Sequence, residues 1–203
     1  VGAIALSDPR IMGIVSAIGR ELTEGEIRQF ETAEGIILDE ATYYDIIFQK
    51  TAVLFRSCAE VAAITTEAST EDYDRAARIG TALGMAFQIR DDIFDYYRSD
   101  VGKPTGNDIR EGKITLPLLH VLTELKKEGK ATPYLSLLSE KPIPPSSIEQ
   151  LTTLAHEAGG IDYAWKRLYH YIDEAKTLLC SFPESEYRTS LLALADYIAE
   201  RTV

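Results

Sequence analysis

The hydrophobic residues of this chain recur mainly at intervals of three and four positions, the spacing of one face of an α-helix. This pattern predicts helices over about 8–30 and beyond, 40–64, 70–97, 114–127, 133–139, 146–158, 161–179 and 184–200. No stretch of useful length alternates apolar and polar residues as a half-buried strand does. Ser146 and Ser147 are expected to cap the helix after the proline-rich segment 141–145. The sequence therefore predicts one all-α domain over 1–203, with helices packed around a central cavity.

Composition narrows the possible partners. The 203 residues are 45% hydrophobic and carry a formal net charge of −11, which argues against nucleic acid as a general partner. No apolar run is long enough to cross a bilayer, and no signal peptide is visible. Cys58 and Cys180 are isolated in apolar helical contexts, so we expect buried thiols in a reducing compartment and a cytoplasmic protein.

Three aspartates form a DDxxD cluster, Asp91, Asp92 and Asp95, within the helix predicted over 70–97. At about 100° per residue, these side chains and Gln88 fall within an arc of roughly 100° and face one space. Like charges this close raise one another's pKa, and a bound Mg²⁺ would relieve the repulsion. DDxxD alone is common on solvated helix faces, but the residues around this cluster are largely apolar, and acids in such a setting need partners or a metal.

A glycine-lysine segment, GKPTGNDIREGK over 102–113, follows the acidic cluster. Lysines beside glycines offer positive charge and open backbone to a phosphate group. Mg²⁺ usually completes its coordination with water and substrate phosphate oxygens, so the site is expected to be incomplete without a phosphorylated ligand. Taken singly, Lys50 and Lys113 could be surface lysines, and Thr51 and Gln88 could be structural.

The segment 84–119, GMAFQIRDDIFDYYRSDVGKPTGNDIREGKITLPLL, closely resembles the second aspartate-rich region of trans-isoprenyl diphosphate synthases. QKTAVL over 49–54 is similar to the Lys-Thr-Ala motif of that family. Gly25-Glu26 with Gln29 is similar to its Gly-Glu-x-x-Gln element, and 191–201 to its last helix. The resemblance implies an isoprenoid-synthase-type helical bundle around a central cavity.

The resemblance also implies roles for individual side chains. The metal ligands would be Asp91, Asp92 and Asp95, with Asp91 the foremost Mg²⁺ ligand. The side chains that bind or neutralise the allylic diphosphate would be Lys50, Lys103 and Lys113. Thr51 and Gln88 would direct polar oxygens at the allylic cation. Asp108 would orient the lysines and a metal-bound water.

By resemblance, the reaction is the head-to-tail condensation of an allylic diphosphate with isopentenyl diphosphate. Mg²⁺ and the lysines would stabilise the departing diphosphate, and the double bond of isopentenyl diphosphate would attack the allylic carbocation. The released diphosphate would take up the proton. A water-poor apolar cavity suits such a cation, and fixed cations suit the leaving group. The family also implies a homodimer.

One departure from the family pattern is large: the chain has no second DDxxD motif. Because the family carries its first such motif in an amino-terminal portion, we expect this chain, which begins at Val1, to be a carboxy-terminal portion without the amino-terminal helices. We expect it to be inactive alone. The segment 111–117 resembles the geranylgeranyl-to-long-chain branch of the family, and this resemblance implies an octaprenyl-type product. The alternatives are a geranylgeranyl diphosphate synthase and a non-catalytic subunit of a heteromeric synthase, while the DDxxD spacing argues against a class I terpene cyclase.

Overall fold

A computed structural model describes residues 8–97 and 106–201, and these form helices and connecting segments without β-strands. The all-α prediction is confirmed. We number the helices in chain order, and one π-helical turn, Phe48–Ala52, joins the second to the third. The bounds are α1 Pro9–Gly35, α2 Glu40–Ile47, α3 Val53–Thr65, α4 Thr70–Phe94, α5 Asn107–Arg110, α6 Leu116–Lys127, α7 Thr132–Leu138, α8 Pro145–Glu157, α9 Gly160–Cys180 and α10 Glu186–Glu200.

Most helix starts follow their local sequence signals. The Asp8 carboxylate accepts a hydrogen bond from the backbone N–H of Arg10 at 2.8 Å, and the Ser69 hydroxyl accepts one from the N–H of Asp72 at 3.1 Å. The expected serine cap of α8 is wrong. That helix begins at Pro145 after an extended Pro144, so Ser146 and Ser147 lie inside its first turn. A proline suits this position because its missing N–H has no intrahelical acceptor there.

Helix α4 is the centre of the fold and packs most extensively against α3 and α9. Ala86, Ile89 and Ile93 on this helix are fully buried in the larger of two apolar clusters. A second cluster lies beneath α5, α6 and α8 and includes the fully buried Ile109. Burying α4 in this way fixes the direction in which its acidic side chains point.

Gly84 lets α4 approach the π turn closely. A Cβ atom at this position would lie 2.5 Å from the Cα of Ala52 and 2.9 Å from its Cβ. Only a glycine therefore fits without moving one of the two backbones. Because Thr51 precedes Ala52 and Gln88 lies one helical turn after Gly84, this approach also brings two predicted site residues together.

Cys58 and Cys180 are free thiols as predicted, but the prediction that they are buried is wrong, because both are exposed. Each lies on a helix with a large apolar content, but on its solvent side, and residue type alone does not decide which side a position takes. Among the described residues, no helix is both long and apolar enough to traverse a membrane.

Candidate active site

A cavity of about 650 Å³ lies on the acidic side of α4. It is lined by α1, α2, the π turn, the segment 107–119 and the end of α10. The predicted site residues on its wall are Lys50, Gln88, Asp91, Asp92, Asp95, Asp108 and Lys113. Thr51 is not among the lining residues and lies behind Gln88. Lys103 falls outside the described residues, so its predicted contact with diphosphate is not placed.

The three aspartates of the cluster have three different environments. Asp91 is partly exposed, and its side chain keeps 41% of its accessible surface. The guanidinium of Arg201, the residue after α10, donates a hydrogen bond to its Oδ1. This guanidinium also lies over the Phe87 ring at 4.3 Å, so a fixed cation already sits against Asp91.

Asp92 is buried, with 5% of its surface exposed, and both of its oxygens accept hydrogen bonds. Tyr43 Oη donates to Oδ2 at 2.7 Å, and Gln88 Nε2 donates to Oδ1 at 2.8 Å. Gln88 Oε1 in turn accepts the hydroxyl proton of Thr51 at 2.5 Å. These contacts join α2, the π turn and α4 in one chain of side chains.

Asp95 lies just beyond the last residue of α4, because the helix ends at Phe94 and not near Tyr97 as predicted. Its carboxylate accepts the backbone N–H groups of Asn107 at 3.0 Å and Asp108 at 2.9 Å. It thereby satisfies two donors in the first turn of α5, where negative charge is favourable. Asp95 thus ties the glycine-lysine segment back to the acidic helix.

Burial and mutual repulsion shape the acidity of these groups. Burial, with a further contribution from Asp108, raises the pKa of Asp92 to about 7. Burial and the charge of Asp95 raise the pKa of Asp108 to about 6. Burial also raises the pKa of Asp91, although Arg201 opposes this shift. The cavity therefore holds excess negative charge that a cation would relieve.

The donor set fits a hard divalent cation that shares its coordination with a ligand. Within the described ranges, no three acidic, histidine or cysteine side chains converge closely enough to hold a metal by themselves. Mg²⁺ needs only one or two carboxylates when water and phosphate oxygens supply the rest. Asp91 is the best placed for this, since its side chain keeps 41% of its surface, whereas Asp92 is buried and Asp95 already accepts two backbone N–H groups.

Both described lysines of the predicted site point into the cavity and are held by acids. Lys50 Nζ lies 2.9 Å from Glu26 Oε1 and also donates to Gln29 Oε1. Lys113 Nζ lies 2.6 Å from Glu111 and 4.0 Å from Asp108. These contacts keep the ammonium groups at the cavity wall, where an anionic ligand could replace the acids.

Some cavity residues that hydrogen-bond to predicted site residues had no role assigned from sequence. Gln29 belongs to the Gly-Glu-x-x-Gln element, and Arg201 to the segment 191–201, so both lay in noted motifs. Tyr43 lies two helical turns before Lys50, and residues at this spacing share one face of a helix. The spacing could therefore have placed Tyr43 beside the site. The contact of Tyr43 with Asp92 spans 49 positions of the chain and has no local signal.

Comparison with known proteins agrees with this geometry. The family model for polyprenyl synthetase matches residues 3–154. Octaprenyl diphosphate synthase of Haemophilus influenzae is 32% identical over 199 residues, covering 97% of this chain and 60% of that protein. All-trans-nonaprenyl-diphosphate synthase of Rhodobacter capsulatus is 34% identical over 184 residues, covering 89% and 55%. The chain thus spans less than two thirds of the length of these relatives.

Solved structures give the same result. Geranylgeranyl pyrophosphate synthase from Bacteroides thetaiotaomicron superposes with a TM-score of 0.88 at 37% identity, covering 98% of this chain and 66% of that one. Polyprenyl synthase from Caulobacter crescentus, solved in complex with calcium and isoprenyl diphosphate, has a TM-score of 0.84 at 28% identity, covering 98% and 61%. This chain belongs to the polyprenyl synthetase family.

Proposed function

We propose that this chain carries the diphosphate-ionising half of a trans-prenyltransferase that condenses an allylic diphosphate with isopentenyl diphosphate. The observation that supports this best is the convergence on one cavity of Asp91, Gln88, Lys50 and Lys113 from three separate segments: α4, the π turn and the segment after α5. Carboxylates, a carbonyl oxygen and two ammonium groups match the three charges of the reaction: the metal, the allylic cation and the leaving diphosphate.

Each group has a separate task in this proposal. Lys50 and Lys113 bind the diphosphate and stabilise the negative charge that grows on it as the allylic C–O bond breaks. Gln88, held by Thr51, places a carbonyl oxygen beside the positive charge on the hydrocarbon. Apolar side chains of the cavity wall exclude water that would otherwise capture the cation: Ile46, Ile47, Phe94, Ile114 and Leu119.

We propose Mg²⁺ as the metal, with Asp91 as its principal ligand and Asp95 and Asp92 nearby. When bound, it would supply Lewis-acid neutralisation of the diphosphate oxygens. Asp108 would orient Lys113, to which it is already within ion-pair distance. Lys103 is proposed as a further diphosphate ligand on the sequence resemblance alone.

We propose an octaprenyl-like product, with a geranylgeranyl product as the alternative. Octaprenyl diphosphate synthases are among the sequence relatives, which supports the first, and a geranylgeranyl synthase superposes well, which supports the second. We further propose that the chain acts in a cytoplasmic homodimer. Alone, the chain would not convert the two substrates, since its sequence carries a single DDxxD motif.

The test is product analysis of the full-length gene product with Mg²⁺, farnesyl diphosphate and isopentenyl diphosphate. Extended polyprenyl diphosphates would support the proposal, and their length would choose between the two products. A cyclised hydrocarbon would contradict it in favour of a cyclase, and no conversion would favour a non-catalytic subunit. The 203-residue chain should be assayed in parallel, and turnover by it would contradict the proposed inactivity.

A further inference from the structure

Four side chains form a continuous chain of hydrogen bonds beside the cavity. Tyr43 donates to Asp92 at 2.7 Å, Gln88 donates to the other oxygen of Asp92 at 2.8 Å, and Thr51 donates to Gln88 at 2.5 Å. We call this chain the Tyr43 relay. Its two ends lie on α2 and the π turn, and its middle lies on α4.

The relay determines which end of the Gln88 amide faces which neighbour. The NH₂ group of Gln88 donates to Asp92 Oδ1 at 2.8 Å, so the amide turns this end toward Asp92. The carbonyl oxygen then points to the opposite side, where Thr51 uses one of its two lone pairs. The other lone pair remains for the cavity, which Gln88 lines. A carbonyl oxygen attracts positive charge, whereas an NH₂ group in that place would repel it.

Tyr43 holds Asp92 in the orientation that this arrangement needs. Without a donor at Oδ2, the carboxylate would have an unsatisfied buried oxygen and would lose its second fixed point. Tyr43 is itself buried, with 7% of its surface exposed. Helix α2, on which it lies, is held by a hydrogen bond from α9. Glu40 accepts hydroxyl protons from both Tyr44 at 2.8 Å and Tyr163 at 2.6 Å.

We propose that Tyr43 is a positioning residue for the reaction, and that it acts through Asp92 to present the carbonyl oxygen of Gln88 to the allylic cation. Asp92 is then the bridge of the relay and not a metal ligand, and the metal depends on Asp91. This inference rests on the proposed function, because it needs a cationic species in the cavity.

The first experiment compares two buried tyrosines. Tyr43→Phe and Tyr96→Phe each remove one hydroxyl, and Tyr96 is a matched control because its partner is Thr115, at 3.1 Å, and not an aspartate. Calorimetry with Mg²⁺ measures the affinity for two probes. One is inorganic diphosphate, and the other is an allylic diphosphate analogue in which a protonated amine replaces the carbon that becomes positive.

The expected result is a selective loss. Tyr43→Phe should weaken binding of the amine analogue by about tenfold while leaving inorganic diphosphate within about threefold. Tyr96→Phe should change neither by more than about threefold. Equal effects of the two substitutions on the amine analogue would overturn the relay. If the unmodified chain binds neither probe, the proposed function fails, and the inference fails with it.

The second experiment uses substitutions at neighbouring aspartates and remains informative if Tyr43→Phe does not fold. Asp92→Asn keeps an oxygen for Gln88 and an NH₂ group for Tyr43, whereas Asp92→Leu has neither. Affinity for the amine analogue should fall by at least about tenfold in Asp92→Leu and clearly less in Asp92→Asn. Equal losses would overturn the relay.

The same variants separate a bridge from a metal ligand. Asp91→Asn should weaken Mg²⁺-dependent binding of inorganic diphosphate by at least about tenfold, and Asp92→Asn by no more than about threefold. A crystal of the unmodified chain with Mn²⁺ and inorganic diphosphate gives the direct view. Anomalous density bonded to Asp91, with Asp92 still hydrogen-bonded to Tyr43, is the expected result, and a metal bond to Asp92 would contradict it.

Discussion

Arg201 and Asp91 are 110 positions apart in the chain, yet the guanidinium of the first donates a hydrogen bond to the carboxylate of the second. Arg90, which stacks on Phe94 at 3.7 Å, donates to the backbone carbonyl of Arg201 at 2.6 Å. The end of α10 is therefore fastened to α4 by two arginines. In this structure the carboxylate best placed for a metal is already neutralised by a side chain of the same protein.

Arg201 should compete with a divalent cation for Asp91. Replacing it by glutamine removes a positive charge from a half-exposed carboxylate, which is worth about 1 kcal/mol, or roughly fivefold in affinity. We expect Arg201→Gln to bind Mn²⁺ more tightly by about that factor in water-proton relaxation titrations without diphosphate. Arg78→Gln, which breaks an exposed pair with Glu174, is the control and should leave the affinity unchanged. Weaker Mn²⁺ binding by Arg201→Gln would contradict competition.

Lys50 should contribute strongly to anion binding. Its ammonium faces the cavity and contacts both Glu26 and Gln29. A charge-assisted hydrogen bond to phosphate is worth about 2 kcal/mol. Lys50→Gln should therefore weaken Mg²⁺-dependent diphosphate binding by at least about tenfold and reduce its dependence on salt. Lys127→Gln, on an exposed pair with Glu124, should change neither. A variant of Lys50 with unaltered affinity would mean that the lysine serves only the packing of α1.

The helices were predictable because their signals are local. Apolar spacing located the longer ones, and the predicted starts near 8 and at 70 agree with the observed starts within a residue. The short helix α5 lies in a segment for which the sequence predicted no helix. The π turn Phe48–Ala52 was not foreseen, since the sequence predicted one continuous helix there, and a π turn has no compositional mark. It nevertheless matters for the site, because Lys50 and Thr51 lie within it.

The side chains around the acidic cluster were only partly predictable. The helical period placed Gln88, Asp91, Asp92 and Asp95 on one face, and all four line the cavity. The period could not distinguish their surroundings, because the partners come from distant segments. Arg201 and Tyr43 are contacts that form only once α10 and α2 pack on α4, so no window of sequence contains them.

The metal-free protein should lose stability as the pH rises from 3.8 to about 7. The folded-state pKa of Asp92, about 7, lies above the value of 3.8 for an unfolded chain, so the folded state binds this proton more tightly. Its contribution is fully present below pH 3.8 and is lost as the pH rises to about 7. We expect urea unfolding in chelator to show a free energy that declines over this range.

Asp92→Asn should make this decline shallower, because the substitution removes the titrating group while keeping the hydrogen bonds. Some decline should remain, since the raised pKa of Asp108, about 6, acts in the same direction. The exposed Asp173→Asn is the control and should retain the slope of the unmodified protein. An unchanged slope in Asp92→Asn would show that burial does not raise the pKa of Asp92 in solution.

Gly84 should be required for both stability and the relay. In Gly84→Ala the new methyl group would meet the backbone of Ala52 at 2.5 Å, so α4 and the π turn must separate, which costs about 1–3 kcal/mol or more. Gly13→Ala is the matched control, because a Cβ there has open space within 4 Å and should stabilise α1 by about 0.5–1 kcal/mol. Urea unfolding of both variants measures the expected loss of stability in Gly84→Ala and the expected gain in Gly13→Ala.

Because Thr51 precedes Ala52, the separation of α4 from the π turn in Gly84→Ala should also lengthen the hydrogen bond from Thr51 to Gln88. Affinity for the amine analogue should therefore fall, as we expect for Tyr43→Phe. A destabilised Gly84→Ala that keeps full affinity would show that the site tolerates movement of the π turn.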